Sequence, residues 1–112
     1  MGSANRSGAG GNEKRAMTSE EITNLYPVYD PDVAGRVFDG EAVVVLPARG
    51  QVLVLNGVGS RVWELVDGKR SVGDVVGAIV AEYETSEEQA REDVLAFLKV
   101  LEVRGALKLE ER

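Results

Sequence analysis

The sequence predicts an α+β domain in which a three-stranded antiparallel sheet is followed by a three-helix bundle. Asp39-Gly40 separates two apolar runs and has the turn chemistry of a two-residue β-hairpin. Ser71, with Asp74 three residues later, has the capping-box spacing of a helix start. Residues 87–104 then carry apolar side chains at helical spacing up to Gly105. These three observations predict strands first and helices after them.

The sheet is predicted to be a meander of three strands. Residues 33–38 and 41–46 form the hairpin, a turn over 47–50 follows, and residues 51–55 form the third strand. In the third strand, valines at 52 and 54 alternate with leucines at 53 and 55, so neither face is polar. This strand is therefore either covered on both sides or serves as a docking edge for another peptide.

Two helices are predicted directly after the meander. The first spans about residues 57–66, with Asn56 as its N-cap and Asp67-Gly68 as its stop. The second begins after Ser71, and its apolar residues recur at steps of three and four. The aromatic residues predicted to lie in the core are Trp63 and Tyr83.

The third helix is predicted to begin after Ser86, to run to about Arg104 and to end at Gly105, with a short extended tail over 106–109. It is apolar over most of its circumference, so it is either sandwiched between two layers or borders a groove for a partner. Its core stripe is Ala90, Val94, Phe97, Leu98 and Leu101, with Leu95 on one flank and Ala96, Val100 and Val103 on the other.

The 112 residues are predicted to form one small domain with two preceding segments. Residues 1–16 are rich in Gly, Ser, Ala and Asn without apolar periodicity, and we expect a disordered tail. Residues 17–32 are predicted to be an extended lead-in, because Pro27 and Pro31 block any long helix. Residues 33–109 are predicted to be the folded winged-helix domain.

The composition excludes several kinds of chemistry. The chain has no Cys and no His, which excludes thiolate catalysis, disulfides, imidazole base chemistry and the usual zinc sites. We therefore expect no metal and no cofactor. An enzyme would have to use carboxylates such as Asp67 or Asp93, which are better explained as helix-end or capping groups. No apolar run approaches the roughly 18 residues of a membrane span, so a soluble cytoplasmic protein is predicted.

The charge is uneven along the chain. Residues 1–16 hold three of the 13 basic groups and one of the 19 acidic groups, so the remainder carries 10 and 18, a net charge of −8. Such a domain repels phosphate backbones. A helix, a short turn and a longer helix beside a hairpin are also the outline of a winged helix-turn-helix, but Arg91, Lys99 and Arg104 are mixed with acidic residues. The outline leaves a nucleic-acid-binding or transcription-regulating domain as the alternative. The mixed charges argue against it, so no nucleic acid partner is expected.

Short motifs follow one another in a distinctive order over about residues 28–109. They are Gly40-Glu41-Ala42-Val43, Leu55-Asn56 with Gly59, the run from Val62 to Gly68, Arg70-Ser71-Val72, Tyr83, Asp93-Val94, Phe97-Leu98, Leu101 and Gly105. This order resembles the PqqD family, which is named for the D protein of pyrroloquinoline quinone biosynthesis. The resemblance implies a small winged-helix-like chaperone, three strands followed by three helices, without catalytic activity.

The resemblance also implies the partners. Members of the family are recognition elements for ribosomally made, post-translationally modified peptides. They bind the leader of a precursor peptide and present it to a modifying enzyme, often a radical S-adenosylmethionine protein. We expect a monomer or a homodimer, since an exposed strand edge can also pair with itself.

In related domains the leader adds a strand beside the third strand and lies between it and the third helix. Specificity then comes from side chains, because main-chain hydrogen bonds carry little sequence information. The expected peptide-binding residues are Gln51, Val52, Leu53, Val54 and Leu55 of the strand and Leu95, Leu98, Lys99 and Glu102 of the helix. For the helical part of the site, the alternative is the opposite flank of the third helix, with Ala96, Val100 and Val103.

Overall fold

The computed structural model describes residues 18–112, so the predicted tail over 1–16 lies outside the described residues. The described chain is an α+β fold with two small antiparallel sheets and four helices. Its helices are α1 Ser19–Thr23, α2 Val58–Leu65, α3 Val72–Glu82 and α4 Glu87–Val103. Its strands are β1 Tyr26–Tyr29, β2 Ala34–Phe38, β3 Glu41–Leu46, β4 Gln51–Asn56 and β5 Leu107–Glu110.

The predicted meander is confirmed. Strands β2, β3 and β4 pair antiparallel in that order, with Val43 of β3 opposite both Arg36 of β2 and Val54 of β4. Asp39 has φ 50° and Gly40 has φ 77°, the two left-handed residues that a type I′ hairpin turn requires. The predicted turn between β3 and β4 is a short 3-10 helix, Pro47–Arg49. The three-stranded sheet before the helices is the predicted winged-helix-like architecture.

The lead-in differs from its prediction, because it is not extended throughout. Thr18 and Glu21 form a capping box, in which the Thr18 hydroxyl accepts from the Glu21 N–H at 3.1 Å. This box starts α1, a short helix that the prolines after it do not disturb. Strand β1 then pairs with β5, from Tyr26 opposite Glu110 to Tyr29 opposite Leu107. The predicted extended tail is therefore the partner of the lead-in.

The starts of the helices test three expectations. Asn56 is the last residue of β4 and not an N-cap; Gly57 takes that position with φ 57° and no capping side chain. The capping box at Ser71 is confirmed, with the Ser71 hydroxyl accepting from the Asp74 N–H at 3.0 Å. The Ser86 hydroxyl caps α4 in the same way, as expected. Side-chain caps are therefore present at the helix starts where they were predicted, apart from Asn56.

The core lies between the inner face of the sheet and α2, α3 and α4. Every second residue of β3 points into it, and the core stripe predicted for α4 is buried except for the half-buried Phe97. Tyr83 is 37% exposed at the end of α3, so its prediction as a core residue is wrong. The side chains that fill the center include Ala42, Val44 and Leu46 of β3, Val62 and Leu65 of α2, Val75 and Ile79 of α3, and Val94, Leu98 and Leu101 of α4.

Trp63 of α2 joins the two sheets. Its ring lies against Gly35 of β2 and stacks at a tilt on Tyr29 of β1, with ring centroids 4.0 Å apart. The Tyr29 hydroxyl donates a hydrogen bond to the Trp63 carbonyl oxygen at 2.8 Å. Trp63 therefore packs against the core, as predicted, although its ring is only half-buried.

Tyr29→Phe is expected to change how stability depends on pH. Burial raises the pKa of Tyr29 far above its ordinary value, so above about pH 10 the folded chain holds a proton that the unfolded chain releases. The free energy of unfolding of the natural protein therefore falls as pH rises past that point. The variant should lose about 1 kcal/mol at neutral pH through the missing hydrogen bond. Urea denaturation between about pH 7 and 11 should also show a shallower alkaline decline for the variant.

Tyr83→Phe is the matched control, because Tyr83 is exposed and its ring makes no contact of this kind in the described part of the chain. It should keep both the neutral-pH stability and the alkaline decline of the natural protein. An equal decline in Tyr29→Phe and the natural protein would contradict the assignment to Tyr29.

Candidate functional site

Strand β4 lies at an edge of the three-stranded sheet. Only β3 pairs with it among the described residues, so its other side offers unpaired N–H and C=O groups over Gln51–Asn56. Such an edge can accept an added strand through main-chain hydrogen bonds. Strand β2 forms the opposite edge of the sheet, and the residues that surround it differ from those around β4.

The side chains of β4 form two rows that point to opposite faces. Leu53 and Leu55 are half-buried on the inner face, where they pack against the core. Val52 and Val54 are on the outer face and are 60% and 62% exposed. Of the two alternatives that the sequence left open, coverage on both sides is wrong within the described structure, since only the inner face is covered.

One flank of α4 lies beside β4. At one end, Arg104 Nη1 donates to Gln51 Oε1 at 3.0 Å. At the other, the Phe97 ring and Leu55 both approach Gly59, where an added Cβ would lie 3.3 Å from Phe97 Cε1 and 3.8 Å from Leu55 Cβ. Gln51 thus contacts Arg104, while Leu55 and Phe97 both border Gly59. Because Leu53 lies between Gln51 and Leu55 along β4, we infer that the intervening turn of α4 lies opposite it.

We call the surface formed by Leu53 and Leu55 of β4 with Phe97 and Val100 of α4 the β4–α4 surface. Val100 belongs to it because residues three and four apart share one side of a helix, and it lies between Phe97 and Arg104. Val100 is 48% exposed, so apolar area is available there. The surface combines an unpaired strand edge with apolar side chains, half-buried at Leu53, Leu55 and Phe97 and exposed at Val100.

Two arginines lie at one end of the β4–α4 surface. Besides the contact of Arg104 with Gln51, Arg49 Nη2 donates to the Val103 carbonyl oxygen at 3.3 Å. Both contacts are exposed and link the start of β4 to the end of α4. They place two positive charges beside the strand edge of an acidic protein, where a carboxylate of a bound peptide would be attracted.

The helical residues expected from the sequence lie elsewhere. Leu95, Leu98, Lys99 and Glu102 line a cavity of about 340 Å³ together with Ala96, Ile22 of α1 and Leu109 of β5, and Leu98 is buried. The structure therefore brings the five strand residues together along β4 but places these four on a flank of α4 that faces Ile22 and β5. The alternative flank is divided: Ala96 lines the same cavity, whereas Val100 and Val103 are exposed and the Val103 carbonyl contacts Arg49 beside β4.

Sequence reasoning assigned Phe97 to the core stripe and did not single out Arg49 or Arg104 for the site. The spacing of seven residues between Phe97 and Arg104 puts both on one side of α4 and was the available signal. Nothing local to residue 49 indicated its contact with α4, which spans 54 positions of the chain.

The carboxylates considered for catalysis have structural partners. Asp67 Oδ1 accepts from the backbone N–H groups of Lys69 at 2.9 Å and Arg70 at 3.0 Å. The Lys69 N–H is the largest cause of the lowered pKa of Asp67, followed among favourable contacts by that of Arg70. Asp93 Oδ1 accepts from the side-chain amide of Gln89 at 3.0 Å. Asp67 is therefore a turn group at the end of α2, as expected, whereas Asp93 lies inside α4 and is not the helix-end or capping group that was expected.

Residues 18–112 contain no cluster of three or more acidic, Cys or His side chains that could hold a metal ion. No helix in the same range has the length and apolar character needed to cross a bilayer. On α4, Arg91 forms an ion pair with Glu87 at 3.2 Å, which reduces the positive potential that a phosphate backbone would meet.

Comparison with known proteins identifies similar sequences. A family model described as coenzyme PQQ synthesis protein D (PqqD) matches residues 41–107. The chain is also similar to a PqqA binding protein of Gluconobacter oxydans (strain 621H), with 32% identity over 65 residues. That match covers 58% of this chain and 68% of the relative. The matched range contains β3, β4 and the three helices that follow.

Two solved structures share the fold. One is described as TbiB1 in complex with the TbiA(beta) leader peptide, with a TM-score of 0.67 and 29% identity, covering 71% of this chain and 93% of that one. The other is a lasso peptide synthetase B1 complexed with the leader peptide, with a TM-score of 0.65 and 21% identity, covering 73% and 96%. The second supports the fold alone.

Proposed function

The chain belongs to the PqqD family, and we propose that it binds the leader of a ribosomally made precursor peptide by strand addition to β4. The observation that carries the proposal is the unpaired edge of β4 beside the partly exposed, apolar β4–α4 surface. The protein acts as a binding module, and the chemistry belongs to a separate modifying enzyme such as a radical S-adenosylmethionine protein.

Two relatives support a peptide ligand. The Gluconobacter protein is a PqqA binding protein, and TbiB1 was solved with a leader peptide. The position of the peptide on β4 rests on the geometry of this chain.

The added strand has two sources of affinity. Main-chain hydrogen bonds to β4 hold an extended backbone of any sequence. Every second side chain of the peptide would then lie on the inner face, in contact with Leu53, Leu55 and Phe97, where burial of apolar area contributes roughly 25 cal/mol per Å² before ordering costs. Arg104 would exchange its contact with Gln51 for a carboxylate of the ligand. The leader is therefore expected to be extended and apolar at alternate positions.

The edge of β2 is less suited to this role. Its inner face is occupied at Gly35 by the Trp63 ring, and among residues 18–112 no helix contacts it as Arg104 of α4 contacts Gln51 of β4. Added side chains on the inner face of β2 would therefore find less apolar area to cover.

Selection from a displayed library of random peptides tests the proposal. Peptides of about 12 residues exceed the six residues of β4 and allow any register. The immobilized protein should enrich peptides that, once synthesized, bind it in calorimetric titration with micromolar or better affinity. Failure to enrich any peptide over a surface carrying an unrelated acidic protein would contradict the proposed function.

A further inference from the structure

The outer face of the three-stranded sheet carries exposed apolar side chains beside Arg36 and Glu41, and nothing in the described structure covers them. Phe38 is 57% exposed and Val45 40%, alongside Val52 and Val54 at 60% and 62%. Antiparallel sheets with one solvated face usually carry polar side chains there. Four large apolar residues in this position indicate that part of the face is covered in the working state.

The two most exposed residues of this face belong to the edge strand itself. Val54 lies opposite Val43 and Val52 opposite Val45, so each has an apolar neighbor on β3 and, within residues 18–112, no paired strand on its other side. A strand added to β4 would lie about 4.8 Å away, with its outward side chains about 4.5–5.5 Å from those of β4. The occupant of the edge is therefore also the occupant beside Val52 and Val54.

We infer that Val52 and Val54 form a second recognition row, so that the protein selects peptides with apolar side chains on both faces of the added strand. This inference rests on the proposed strand addition and specifies its substrate class. One row of the peptide is recognized by Leu53, Leu55 and Phe97, and the other by the two valines. A peptide that alternates apolar and charged residues satisfies only the first row.

Other occupants fit this face less well. A second copy would bring together two domains that each carry a net charge of −8 outside residues 1–16, and the resulting repulsion opposes self-association. Residues 1–17 of the same chain contain only Met and Ala as apolar residues, and no aromatic or β-branched side chain. They offer little apolar area with which to cover the valines.

The double variant Val52→Thr, Val54→Thr tests the second row. Thr has nearly the shape of Val and suits strands, so the variant is expected to fold. Peptides selected on the natural protein should bind the variant roughly 3- to 30-fold more weakly, because two cross-strand apolar pairs are lost. Val45→Thr is the matched control: it changes the same residue type on the same face, one strand further from the peptide, and should leave affinity within about twofold.

A double-mutant cycle shows whether the valines contact the peptide directly. The outward row of a selected peptide is replaced by Thr, and this peptide should bind the natural protein and the double variant with similar affinity. If the two losses of affinity are additive, so that the double variant binds the changed peptide as much more weakly as it binds the original peptide, the inference is overturned.

The outcomes separate this inference from the proposed function. Enriched peptides that are apolar in one row only and bind the double variant with unchanged affinity would overturn the second row while leaving strand addition intact. A natural protein that sediments as a dimer and becomes monomeric in the double variant would show that a second copy covers the face, which also overturns the inference. Failure to enrich any peptide would contradict both.

Discussion

Replacing Leu53 with Asp is expected to weaken peptide binding by about 100-fold or more, because covering an unpaired carboxylate costs several kcal/mol. Leu53 is half-buried on the inner face of β4, opposite the turn of α4 between Phe97 and Arg104. Its carboxylate replacement stays partly hydrated in the free protein and loses that water when a strand is added. Calorimetric titration with a library-selected peptide measures the loss.

Val37→Asp is the matched control for this prediction. Val37 is half-buried on the inner face of β2, the other edge strand, and packs against the same core. It should cost similar folding stability and leave peptide affinity nearly unchanged. Leu53→Ala provides a second test that avoids a buried charge, with an expected loss of roughly 5- to 30-fold through missing apolar contact. Equal losses of affinity at positions 37 and 53 would contradict the site on β4.

Replacing Gly35 with Ala is expected to destabilize the fold by at least about 1–3 kcal/mol, the usual range for overpacking. A Cβ at this position would collide with Trp63 Cζ2 and lie 2.6 Å from Trp63 Cε2. The ring is held in place by Tyr29, whose ring centroid is 4.0 Å away. Because Trp63 cannot withdraw without losing that stack, β2 must shift. The free energy of unfolding from urea denaturation measures the effect.

Gly77→Ala serves as the control for Gly35→Ala. An added Cβ at Gly77 meets nothing within 4 Å, and the residue lies inside α3. Ala should therefore stabilize the protein by roughly 0.5–1 kcal/mol through its better helix propensity. Trp63→Leu is the partner in a double-mutant cycle, and in its presence Gly35→Ala should cost much less. A loss at Gly35 that is unchanged by removing the indole would contradict the collision.

The parts of the fold that sequence predicted correctly depend on local chemistry. The hairpin turn at Asp39-Gly40 requires two left-handed residues, and Asp followed by Gly is a pair that adopts them. The caps at Ser71 and Ser86 act within three residues of themselves. Such signals need no knowledge of distant contacts. Thr18 and Glu21 are a local signal of the same kind for α1. The prolines at 27 and 31, which predicted an extended segment, lie beyond the end of this helix.

Sequence could not predict contacts between distant segments. The pairing of β1 with β5 joins residues about 80 positions apart, and the sequence of neither strand indicates its partner. Which helical residues lie beside β4 depends on the rotation of α4 about its axis. Because this helix is apolar on both flanks, its pattern did not show which flank faces β4. In the structure Ile22 and Leu109 share a cavity with Leu95, and neither neighbor can be read from the sequence of α4.

The central claim is that the peptide pairs with β4, and amide hydrogen exchange with a saturating library-selected peptide tests it most directly. We expect added protection at amides of Gln51–Asn56, with changes in the α4 turn that contains Phe97 and Val100. Amides of β2, Ala34–Phe38, should keep their exchange rates. Protection confined to β2, or to the residues around the cavity of Ile22, Leu95 and Leu109 with β4 unchanged, would contradict the account.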